Sequence, residues 1–179
     1  MKRPLRKIDL LAVLALALVW GALAHFMSIY SSAGAVAILF LTSFLMALSV
    51  LMIKKTGISL LFAVLCGIIT YSENNLSFGA DKLAILLASS LVLEISVFIL
   101  KKEHFNIRVE VILGSALSGA VIPVAMLALV SEGMRALLLP TVNFALAGFF
   151  VGASAGAVST MLWYRIKSTR LMIKYEYMT

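Results

Sequence analysis

Cysteine is almost missing from this chain, with Cys66 alone among 179 residues. No intrachain disulfide and no cysteine-based metal site can therefore form, and Cys66 is expected to act as a small buried hydrophobe. Histidine occurs twice; with His25 and His104 far apart and no His-Glu-x-x-His motif, a two-histidine metal site is not expected. A glycine-rich phosphate loop of the Walker type is also absent, so ATP is not hydrolysed by that route. Charge is scarce at 13%, against about a quarter of residues in a soluble domain. Its sign is uneven, with 15 Lys and Arg against 8 Asp and Glu and a net charge of +7. Such an excess can point to nucleic acid, but the basic residues stand at the ends of apolar runs and form no aromatic-interleaved patch, so no nucleic-acid partner is expected.

What the chain does have is apolar length. Hydrophobic residues make up 63% of it, and crossing a hydrocarbon core of about 30 Å takes roughly 20 of them in a helix. Six runs qualify, separated by short polar connections: Ile8 to Phe26, Ala33 to Ile53, Gly57 to Tyr71, Lys82 to Leu100, Glu110 to Val130 and Pro140 to Trp163. The expected fold is an all-α integral membrane protein, a single six-helix transmembrane bundle over residues 1–179. The third run is short, reaching only about 22 Å at 1.5 Å per residue. Ala22-Leu23-Ala24 after the first run resembles a signal-peptide cleavage site, but five further runs follow and the first is read as a retained helix.

Lys and Arg in short loops mark the cytoplasmic face. All but Lys82 and Arg135 of the 15 fall on one side of the alternating spans, which places both termini in the cytoplasm of a multi-pass protein of the cell membrane. The outward connections are then Met27 to Ser32, Ser72 to Asp81 and Ser131 to Leu139. Near that level lie Trp20, Tyr30, Tyr71 and Phe78 with Asn74, Asn75 and Asn143. Each aromatic alone fits an interfacial belt; together with the amides they could form a pocket for a flat heteroaromatic solute. Glu73, Asp81 and Glu132 could gather a cation or simply be solvated. An acidic outer loop favours a neutral or cationic solute over an anionic one, because an unpaired second anion is costly to desolvate.

Helices pack in lipid through small residues at spacing four. The sixth run carries Gly148, Gly152 and Gly156, and the fifth carries Gly114, Ser115, Ser118 and Gly119, so these two are expected to pair. Ser115 and Ser118 have no histidine at matching depth, which argues against a serine hydrolase. The first run is rich in alanine, with Ala17-xxx-Gly21 as its one spacing-four pair closed by glycine. That face suits either internal packing or the helix of another protein.

One acid interrupts the fourth run, in Leu91-Val-Leu-Glu94-Ile-Ser-Val-Phe98. Inserting a carboxylate at mid-helix costs on the order of 3 kcal/mol, and such residues face the bundle interior with a partner. Ser96 is local, and Ser49, Ser118 and Ser159 are expected at comparable depth on other helices. Glu94 can be structural or the floor of a pocket, contact substrate directly, or carry a proton.

Six spans, an alanine-rich first helix, Lys54-Lys55-Thr56-Gly57 opening the third, a polar outer loop ending near Phe78-Gly79, and Glu94-Ile-Ser-Val-Phe98 together resemble the substrate-binding S components of energy-coupling factor (ECF) transporters. The likeness runs over residues 8–163 and is nearest to the thiamine-precursor, hydroxymethylpyrimidine branch. It implies a subunit, not an enzyme and without a cofactor, that captures a vitamin or precursor from outside. Such a subunit topples in the membrane against a T component driven by two cytoplasmic ATPases. In the family a small-residue motif on the first helix, usually Ala-xxx-Ala, faces the T component; Ala17 and Gly21 are the nearest match. The substrate-binding candidates are the outer-level residues Trp20, Tyr30, Tyr71, Glu73, Asn74, Asn75 and Asn143, together with Glu94. Nickel and cobalt members carry histidine directly after the first methionine, where this chain has Lys2, so no metal is implied. The competing expectations are a small assembly or regulatory membrane protein without a ligand, and an intramembrane enzyme using Glu94 or the outer acids.

Overall fold

Apolar runs bounded by polar and basic turns become six helices in the computed structural model, which describes residues 5–27, 32–73, 76, 79–100, 108–130 and 138–167. They are α1 (Lys7–His25), α2 (Ser32–Ile53), α3 (Ile58–Ile69), α4 (Gly79–Ile99), α5 (Val109–Val130) and α6 (Leu138–Ile166). Each lies within a few residues of its expected run, and no strand occurs among the described residues. Five are long and apolar enough to cross a membrane; α3, at 12 residues, is not.

Round the bundle the neighbours run α1, α3, α4, α5, α6, and α2 closes the circle between α6 and α1 while also reaching α3 and α5. The expected pairing of the fifth and sixth helices is the closest in the structure. A Cβ on Gly119 would meet the Gly148 carbonyl oxygen at 2.5 Å, and one on Gly152 would run into the Ser115 carbonyl. Backbones in such contact gain packing that larger side chains would prevent, the main source of helix association in lipid. Pro123 sits within α5 against Gly148. Between α4 and α5 the hydroxyls of Ser89 and Ser118 bond at 2.6 Å.

The turn from α2 to α3 is sharp because two of its residues hold left-handed backbone, Lys54 at φ 55° and Gly57 at φ 87°. Lys54 still donates its N–H to the Val50 carbonyl, and the Gly57 carbonyl accepts from Leu61, so the chain reverses without leaving α2 or α3 frayed. Lys54 also lies over the Trp163 ring at 5.7 Å, which brings the end of α6 to the same end of the bundle as this turn.

Candidate functional site

A helix as short as α3 leaves its unpaired backbone groups inside the bundle, and they must find partners there. Gly57, its N-cap, has no side chain to offer. Glu94 of α4 fills that role: its Oε1 accepts from the Ser59 N–H at 3.0 Å and the Ser59 hydroxyl at 2.9 Å. The same hydroxyl lies 3.1 Å from the Ser90 carbonyl. At the other end Lys82, fully buried, donates to the carbonyls of Thr70 and Glu73 and lies 3.4 Å from the Thr70 hydroxyl.

The spacing fits. Lys82 and Glu94 stand 12 positions apart on α4, about 18 Å at 1.5 Å per residue, and α3 is itself 12 residues long. The two helices run antiparallel, with Gly67 against Leu83 between the two caps. The signs fit as well: a carboxylate meets the positive N-terminus of the α3 dipole and an ammonium meets its negative C-terminus.

Side-chain pairs tie both ends of α3 to α1 too. Asp9, 1% exposed, pairs with Lys55 before α3 and accepts the Arg6 N–H at 3.0 Å, capping α1 as it does so. His25 Nδ1, on the last residue of α1, is 3.1 Å from Glu73 Oε1 beyond α3. The Lys55–Glu73 stretch therefore covers the same height as Asp9–His25, about 24 Å of α1, although only 12 of its residues are helical.

The His25 end gathers the polar groups that could meet a solute. His25 and Glu73 are partly exposed, Asp81 is exposed in the first turn of α4, and the exposed Tyr71 ring rests on Gly79, whose φ of +55° suits glycine. Met27, two residues beyond His25, begins an open apolar groove of about 660 Å³ that continues along Ala33, Val36, Ala37, Phe40 and Leu41 of α2. This combination offers hydrogen bonds, negative charge and an apolar wall. Among the described residues no group of three or more His, Cys, Asp and Glu is placed to hold a metal.

Of the residues singled out in the sequence, Tyr71 and Glu73 share this end, while Tyr30, Asn74 and Asn75, with Phe78, lie outside the described residues. Trp20 does not reach the site: it is fully buried between α1 and α2, with its indole N–H bonded to the Thr42 hydroxyl at 2.9 Å. Glu94 stands at the opposite end of α3, and its partner is Ser59 rather than Ser96, Ser49, Ser118 or Ser159. Asn143 is exposed on α6. Ala17 and Gly21 are turned inward. Both are buried, and a Cβ on Gly21 would come within 2.9 Å of Ile69, so at Gly21 this face packs on α3.

Sequence reasoning passed over Asp9, Lys55, Ser59 and the cap at Lys82. One signal was available: the 12-residue interval between the only two charges inside the fourth run beyond Asp81 equals the length of the short third helix. Comparison with protein-family models, with curated proteins and with solved structures returns no match.

Proposed function

We propose that the chain is the solute-binding S component of an ECF-type uptake transporter in the cell membrane. It captures a small heteroaromatic solute, thiamine or its hydroxymethylpyrimidine precursor being the leading candidates, and delivers it with a T component and two ATPases. The observation that supports this reading is the pairing, at one end of the bundle, of His25, Glu73 and Tyr71 with the apolar groove that starts at Met27. A flat ring with polar substituents needs both an apolar wall and a few placed polar groups. In this reading the opposite end, which carries Lys54, Lys55, Arg165 and Lys167, faces the cytoplasm under the positive-inside rule. All six helices then cross, and the segments flanking α3 complete its passage.

Purification in mild detergent, followed by mass analysis of the co-purified small molecules and pull-down of membrane partners, tests the proposal. Retention of thiamine or a related pyrimidine, together with a T-component partner, is the expected result. A protein that stays empty and has no such partner overturns it.

One observation favours a second reading, a small assembly or regulatory protein without a solute. Glu94, Lys82, Asp9 and Lys55 all have partners within the chain itself, as charges kept for structure would. The same purification decides between the two, since this reading expects protein partners and no retained solute.

A further inference from the structure

Four polar links hold α3 in place, and they differ in shelter. Ser59, Lys82 and Asp9, which make three of them, are each buried. The fourth lies open: the side chains of His25 and Glu73 are 65% and 30% exposed, and a polar pair in that setting contributes little in water. It also joins the least closely packed helix of the bundle, α1, which packs on α3 and α2. Below the pair, the seam between the two helices is smooth and close, with Gly21 set against Ile69 and Thr70.

We propose that the His25–Glu73 pair is a catch that closes this end of the α1/α3 seam. Its release lets the last turns of α1 part from the α3–α4 hairpin, while the buried Asp9–Lys55 pair keeps the other end shut. Such an opening gives solvent access to Thr70 and the ring of carbonyls around Lys82, and to Cys66, which lies one turn below Thr70 and whose carbonyl accepts the Thr70 hydroxyl at 2.9 Å. The inference rests on the geometry of the pair and seam and does not depend on the transport reading.

Cys66 is the only thiol in the chain and is fully buried, so it reports the opening without engineering. The full chain in detergent is reacted with N-ethylmaleimide at fixed pH and followed by intact mass. His25→Ala is expected to raise the labelling rate about two- to fivefold, the range that loss of an exposed pair allows, and His25→Lys, which still presents a donor to Glu73, to leave it near the wild-type rate. An unchanged rate in His25→Ala, or a His25→Lys rate as fast as that of His25→Ala, overturns the catch. Hydrogen exchange along the α5–α6 seam separates local opening from general loosening: protection there is expected to stay as in the wild type, and a parallel loss in His25→Ala also overturns the proposal.

Discussion

Glu94 and Lys82 show how a charge is tolerated within an apolar helix. Each completes the hydrogen bonds of a helix terminus, where the dipole supplies the opposite partial charge. Removing either takes a hydrogen-bond partner from that terminus. Glu94→Ala is expected to lower stability by about 1–3 kcal/mol, measured by denaturation in mixed micelles. Lys82→Met falls in the same range: the Glu73 carbonyl loses the ammonium, and the Thr70 carbonyl keeps only the Glu73 N–H. Sites this far apart ordinarily add to within about 0.5 kcal/mol. Because both caps act on one helix, the Glu94→Ala, Lys82→Met double variant is expected to show coupling above that level; strict additivity would mean that α3 does not respond as a unit. Trp20→Phe, which loses the bond to Thr42, is expected to cost about 1 kcal/mol in the same assay.

At the scale of elements, the bundle divides by how its helices meet. α5 and α6 touch backbone to backbone through Gly119, Gly148 and Gly152, whereas α3 is placed by side chains reaching its ends. Two glycine variants separate space from conformation. Gly152→Ala sets a methyl group against the Ser115 carbonyl and is expected to force α5 and α6 apart, read as loss of the folded species in size-exclusion chromatography. Gly57→Ala meets nothing within 4 Å but must hold φ at +87°, so a milder loss of about 1 kcal/mol is expected, without a change in packing. The glycine stripes of the fifth and sixth runs were legible because spacing four survives as a face of a helix. The stripe on α1 was legible as a contact face too, but its partner is α3, and helical spacing alone carries no record of which neighbour a face will meet.

For the whole molecule, α3 decides the topology. If the Lys55–Glu73 stretch crosses as α1 does, the segments before α1 and after α6 lie on the same side. Reporter fusions at both ends, one active only in the cytoplasm and one only outside it, are expected to give matching cytoplasmic signals. Opposite signals would mean that α3 fails to cross and that the chain has five spans. The polar groups that the sequence assembled into one site divide between two ends of the bundle, with Glu73 and Tyr71 at one and Glu94 at the other.

Sequence alone determined the number of helices, their limits to within a few residues, the clustering of basic residues at turns, and the oddity of one acid in an apolar run. These follow from hydropathy and charge, which act along the chain and need no knowledge of neighbours. Tertiary structure decided that Glu94 caps α3 through Ser59, 35 positions away, that Lys82 is the matching cap, and that Trp20, Ala17 and Gly21 face inward. These helices are apolar on most of their surface, so the pattern of residues leaves their rotation open. Only close packing between particular faces, and the need of buried backbone groups for partners, selects which face turns in.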